Sequence, residues 1–180
     1  MRSHKTVQMA ETALMSAVLC ILAPLAIPLP FSPVPLTMGS FAVYVTAAVL
    51  GPGKGTLSVA LYLLLGMAGL PVFSGFSGGI GVLAGPTGGY VIGYIPCALL
   101  VGWLVGRYRC RTVGTIFAMV TGTIVCYVFG TAWVLIIMGG TYTLAQAVLV
   151  CIVPYLVFDA MKIVLAAMIA VEVRKRMKFV

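Results

Sequence analysis

Ten of the eleven lysines and arginines fall in four short regions, and the stretches between those regions are long and nearly uncharged. Arg2 and Lys5 stand at the start, and Lys54 follows. Arg107, Arg109 and Arg111 come next, then Arg174, Lys175, Arg176 and Lys178. Apolar segments occupy roughly residues 9–27, 36–50, 56–70, 86–106, 112–138 and 144–173. About 20 apolar residues cross a bilayer. With six crossings, all four basic regions lie on one face, and the opposite loops, 28–35, 71–85 and 139–143, contain no Lys or Arg. Short cytoplasmic loops accumulate basic residues. The pattern therefore predicts a six-transmembrane-helix bundle with both termini cytoplasmic.

Composition agrees. Of 180 residues, 62% are hydrophobic and 8% charged, against about 25% charged in soluble domains. The chain reads as one all-α integral membrane domain over 1–180, surrounded by lipid. Its net charge of +8 reflects orientation in the membrane and gives no reason to expect nucleic acid. The basic N-terminus resembles the opening of a signal peptide. No small-residue cleavage site with a polar mature region follows it, so it is expected to be a cytoplasmic tail. Cys20, Cys97, Cys110, Cys126 and Cys151 form no C-x-x-C and read as small buried hydrophobes. The single histidine, His4, is terminal. No His-based metal site and no cofactor are expected.

Proline and glycine punctuate the segments. Pro28, Pro30, Pro33 and Pro35 exclude regular helix over 28–35. Residues 51–55 read as a turn between two segments that are short for full spans, or through which helix continues, and 139–141 as another turn. Pro86 suits a first helical position, and Pro154 is expected to kink the last segment.

That last segment holds the most unusual residues. Asp159 is the chain's single aspartate, and Lys162 is the one basic residue away from a segment edge. A charge at mid-membrane costs about 2.5–3.5 kcal/mol on insertion scales, and such residues usually mark function. Spacing of i, i+3 puts both on one helix face. Two readings stand: a ligand or ion site, or a buried ion pair that only orients helices.

Residues 71–90 contain seven glycines and face outside. A solvated loop would be polar, whereas this one carries Phe73, Phe76, Ile80, Val82 and Leu83. Irregular backbone at membrane depth is tolerated where it packs in protein or lines a cavity. The loop is therefore expected to dip toward a substrate site, with glycines allowing close backbone approach. No G-x-x-x-x-G-K-[ST] occurs in the chain, so no ATPase motif is present.

In order along the chain come Pro33-Val-Pro-Leu-Thr37, Leu63-Leu-Leu-Gly-Met-Ala-Gly-Leu-Pro-Val-Phe73, Gly85-Pro-Thr-Gly-Gly-Tyr90 and Asp159-x-x-Lys162. This series resembles the BioY family, the biotin-binding S components of energy-coupling factor (ECF) transporters. The resemblance covers nearly the whole chain. It implies high-affinity biotin uptake, six helices and a site near the outer side. It also implies that Asp159 and Lys162 meet the ligand's ureido and carboxylate groups. Ser77 falls where a relative has a ureido-binding Asn, and Gly85, Thr87, Gly88, Gly89 and Tyr90 would line the site. Two positions depart from relatives: Val91 stands where some have Arg, and Gly39 where many have Gln.

Ala13 and Ala17, with Ala10 and Ser16 near the same side, form a small-residue face on the first segment. Such a face permits close helix packing, within the bundle or with a partner. The resemblance favours contact with a transmembrane coupling (T) subunit, energised by two ATPase subunits in a bacterial or archaeal plasma membrane. The alternative function is an ion- or proton-coupled small-molecule carrier that uses Asp159 as relay. No enzymatic activity is expected. An aspartyl intramembrane enzyme needs two membrane aspartates and a Ser-His enzyme needs a membrane histidine, and the chain has neither.

Overall fold

The computed structural model describes residues 2–30, 32–108, 111–139 and 143–177. Arg109, Cys110, Lys178 and the 140–141 part of the predicted turn lie outside the described residues, as do the side chains of Arg2 and His4. Seven helices are described: α1 (Arg2–Leu22), α2 (Gly39–Met67), α3 (Ile80–Leu83), α4 (Gly88–Arg107), α5 (Thr112–Ile137), α6 (Leu144–Cys151) and α7 (Leu156–Met177). A two-stranded ribbon, β1 (Ala26–Ile27) and β2 (Leu36–Thr37), lies between α1 and α2. Helices dominate because lipid offers backbone groups no hydrogen-bond partners, so each segment must satisfy its own.

Five helical stretches are long and apolar enough to cross a membrane: Lys5–Leu22, Gly39–Met67, Gly88–Arg107, Thr112–Ile137 and Leu144–Arg176. This is a multi-pass membrane protein. The two short segments expected at 36–50 and 56–70 both lie in α2, whose helical geometry breaks at Gly51 (φ 81°, ψ −176°), so that two helical halves meet there. Pro52 follows the bend and starts the second half, as proline suits a first helical position. A Cβ placed on Gly55 would lie 2.9 Å from the Cα of Ala47. Residues eight apart in a straight helix are separated by about 12 Å. The chain therefore doubles back within α2, and Gly55 lets the two halves touch. Gly102 of α4 closes on the same bend, where an added Cβ would meet the Pro52 nitrogen at 2.6 Å.

α2 packs against α1, α4 and α7, and α5 packs against α4 and α7. The shared core is built from Leu19, Tyr44, Tyr62, Phe73, Val101 and Met119, all fully buried. The outward faces are apolar as well: Phe117, Ile124, Val128, Ile136 and Leu165 are exposed. Such a surface would aggregate in water and is the expected one in lipid.

One end of the bundle gathers charge. Lys54 Nζ lies 2.8 Å from Glu11 Oε2, and Arg176 Nε lies 3.3 Å from Glu172 Oε1. Ser58 Oγ donates to the Thr12 carbonyl at 3.0 Å, tying the second half of α2 to α1.

The other end is built from irregular backbone. The proline-rich stretch is not helical, as expected. It connects β1 to β2, which pair antiparallel through Ala26↔Thr37 and Ile27↔Leu36. The Tyr155 hydroxyl donates to the Val34 carbonyl and ties this stretch to the last span. Pro154 interrupts that span as predicted: α6 ends at Cys151, a 3₁₀ turn covers Val153–Tyr155, and α7 follows. The glycine-rich stretch is ordered by hydrogen bonds. Phe73 N–H donates to Ser77 O at 2.9 Å, Gly75 N–H to Pro24 O at 3.0 Å, and Gly79 N–H to Gly66 O at 2.7 Å. Phe73 is fully buried and meets the Tyr62 ring edge-on at 5.6 Å.

Candidate functional site

The break at Pro154 puts Asp159 in the first turn of α7, where unpaired backbone N–H groups favour an anion. One turn on, Lys162 Nζ donates to Asp159 Oδ1 at 3.0 Å and to the carbonyl oxygen of Thr37 at 2.8 Å. The other carboxylate oxygen, Oδ2, accepts from the Tyr127 hydroxyl at 2.6 Å. Asp159 and Lys162 are 7% and 8% exposed. Removing two charges from solvent is tolerated only when each has close partners, and this pair has them from α5, α7 and β2.

The pair stands at the wall of a cavity between α2, α4, α5 and the last span. Thr37, Tyr44, Tyr62, Ser74, Thr87, Tyr90, Val91, Tyr94, Thr123, Tyr127, Tyr155, Asp159 and Lys162 line it. Six of the chain's eight tyrosines are among them. Several of their hydroxyls are already committed to the protein: Tyr44 pairs with Thr123 Oγ1 at 2.7 Å, Tyr90 donates to Cys151 O at 3.4 Å, and Tyr155 donates to Val34 O. Rings whose hydroxyls are bonded elsewhere present mainly apolar surface. The cavity therefore suits a compact ligand with an apolar body. Asp159 can accept from ligand N–H groups, and Lys162 can neutralise a ligand anion. Few convergent polar groups in an apolar pocket are the usual form of a small-molecule site.

Of the residues expected at the site, Thr87, Tyr90, Asp159 and Lys162 line this cavity together. Ser77, Gly85, Gly88 and Gly89 are not among its described lining residues. The Ser77 hydroxyl donates to Ser74 O at 2.7 Å. The Gly85 carbonyl accepts from Trp133 Nε1 at 3.1 Å. Gly88 and Gly89 give α4 close packing: an added Cβ would come within 2.6 Å of the Leu83 carbonyl carbon and 2.8 Å of the Phe129 oxygen, respectively. The departure at Gly39 has a local reason. A Cβ there would meet the Tyr94 hydroxyl at 2.8 Å, so that phenol fills the space a side chain would need.

Sequence reasoning missed Ser74 and five of the six tyrosines. A tyrosine inside an apolar span needs a partner for its hydroxyl. Tyr90 and Tyr94 moreover lie four apart on one face of α4, and that spacing was a usable signal. On α1, Ala10, Ala13, Leu14 and Ala17 are exposed, whereas Ser16 is buried toward the bundle. The small-residue face thus consists of the alanines without Ser16.

The model of the BioY family matches residues 1–179. The chain belongs to the BioY family. Among BioY relatives, the Biotin transporter BioY of Thermotoga maritima is 38% identical over 93% of this chain and 96% of its own length. The Probable biotin transporter BioY of Pyrococcus horikoshii is 39% identical over 77% of this chain and 79% of its own. A crystal structure of the S-component for biotin from an ECF-type ABC transporter superposes with a TM-score of 0.87. It is 27% identical and covers 97% of this chain and 94% of that one. The family is one of transporters, which agrees with a non-enzymatic role for this BioY chain.

Proposed function

We propose that this chain is the membrane-embedded, high-affinity biotin-binding S component of an ECF-type transporter. The observation that carries the reading is the buried Asp159–Lys162 pair at the wall of a tyrosine-lined cavity. Biotin has an apolar bicycle, a ureido group with two N–H donors and a carbonyl, and a carboxylate. The bicycle matches the aromatic walls, and the ureido N–H groups match Asp159. Lys162, which pairs with Asp159 at 3.0 Å, swings away from it to meet the carboxylate at the other end of the ligand. Thr87 and Tyr90 complete the wall at the start of α4. Ser77, Gly85, Gly88 and Gly89 act through the shape of the loop they hold. This loop, 71–87, is the external cap on the site. Val91 leaves carboxylate binding to Lys162 and backbone N–H groups.

The reversal inside α2 supports six membrane passages, with Gly51 at the inner face. The ion pairs of Lys54 and Glu172 then lie at the cytoplasmic end with both termini. The exposed alanines Ala13 and Ala17 form the contact for the T subunit, and two separate ATPase subunits supply energy.

Labelled biotin uptake by cells producing this chain tests the coupling. With a T subunit and ATPases present, uptake survives dissipation of the proton gradient and stops when the ATPases are inactivated. Uptake that collapses with the proton gradient and persists without ATPases establishes instead an ion-coupled carrier using Asp159.

A further inference from the structure

Ser74 opens the 3₁₀ turn Ser74–Phe76 and lines the cavity. Its Oγ is enclosed and has no hydrogen-bond partner among the described residues. The hydroxyls of Ser16, Thr46, Thr115 and Thr131 share that condition, but none of the four is among the described residues lining the cavity. A buried hydroxyl without a partner is destabilising, so one that borders a cavity points to a missing partner inside it.

The turn that presents Ser74 is itself strained. Gly75 and Phe76 both take positive φ, 69° and 58°. For an aromatic residue that conformation is an outlier, of the kind that persists only when surrounding bonds enforce it. The bonds are present: Phe73 N–H to Ser77 O, Gly75 N–H to Pro24 O, and the Ser77 hydroxyl to Ser74 O at 2.7 Å. They occupy the Ser74 carbonyl and leave its hydroxyl unused. Phe76 is exposed at the same turn.

We infer that Ser74 Oγ is a ligand-binding group, and that it hydrogen-bonds the neutral polar head of the ligand rather than its carboxylate. The inference rests on the biotin reading and deepens it. A hydroxyl both donates and accepts, which suits the alternating donors and acceptor of a ureido group. A carboxylate calls for a cationic partner, and the turn at Ser74–Phe76 offers none. Ser77 is then a positioning residue, since its hydroxyl holds the turn.

The test is equilibrium binding of biotin and of biotin methyl ester to purified wild type, Ser74→Ala and Ser74→Cys, with thermal midpoints measured without ligand. One neutral hydrogen bond is worth about tenfold in affinity. Ser74→Ala is expected to weaken both ligands by about that factor, with Ser74→Cys intermediate, while the ligand-free midpoint does not fall, because no internal bond is lost and an unpartnered buried hydroxyl is removed. Ser74→Cys, close to serine in shape, carries the comparison if the alanine variant does not fold. Equal affinity of wild type and both variants overturns this inference alone. A penalty that disappears with the methyl ester overturns the assignment to the neutral head. Wild type that is folded but binds neither ligand overturns the biotin reading, and this inference with it.

Discussion

Lys162 Nζ lies 2.8 Å from the carbonyl oxygen of Thr37, a residue 125 positions earlier, while it also holds Asp159 at 3.0 Å. One ammonium thus joins the last span to the ribbon between α1 and α2. The same group that neutralises the buried aspartate also fixes β2 beside the cavity, so under the proposed function stability and ligand recognition share it.

Removing one member of the pair leaves the other charge buried. Lys162→Met is expected to destabilise the protein by about 3–5 kcal/mol, read as a large drop in thermal midpoint in detergent. The double variant Asp159→Leu with Lys162→Leu should recover much of that stability and bind no biotin. A double variant that still binds assigns the pair a purely structural role.

Tyr127 donates to Asp159 Oδ2 at 2.6 Å. A hydrogen bond to a charged group is worth about 1.5–3 kcal/mol. Tyr127→Phe should lower both the ligand-free thermal midpoint and biotin affinity, because the carboxylate loses a fixed orientation. Calorimetric titration measures the second effect. An unchanged affinity separates Tyr127 from the site.

The reversal in α2 depends on Gly55. Adding a side chain 2.9 Å from the Ala47 Cα forces the halves apart, and overpacking typically costs about 1–3 kcal/mol. Gly55→Val should lower the thermal midpoint sharply. Gly53→Ala is the control, since nothing lies within 4 Å of a Cβ there.

Ala13 and Ala17 are exposed on α1 and are not among the described residues that line the cavity. Replacing both with Trp should abolish co-purification with a T subunit while leaving biotin affinity unchanged. Loss of biotin affinity in that variant would show that the face serves the bundle itself.

Much of the fold was legible because lipid restricts the choices. Apolar length marked the membrane-capable helices, and the prolines at 28–35 and 154 marked breaks. The break between two short segments was legible in the Gly-Pro-Gly run, and helical geometry does fail at Gly51. How tightly the halves fold back was not legible, because it depends on the packing of Gly55 on Ala47 and of Gly102 on Pro52. At the site, Asp159 and Lys162 stood out because charge is rare in this chain. The tyrosine walls did not stand out, because a tyrosine in an apolar span looks the same whether it faces lipid, core or cavity. Ser74 and Ser77 illustrate the remaining gap. They are three residues apart in a glycine-rich stretch, and only the turn at Gly75 and Phe76 decides which hydroxyl borders the cavity.

The central claim is tested most directly by equilibrium binding of biotin to the purified chain in detergent, beside Asp159→Asn and Lys162→Ala. Tight binding by wild type that both substitutions weaken is the predicted result. Binding that both folded variants retain undiminished would contradict the assignment of the site to this pair.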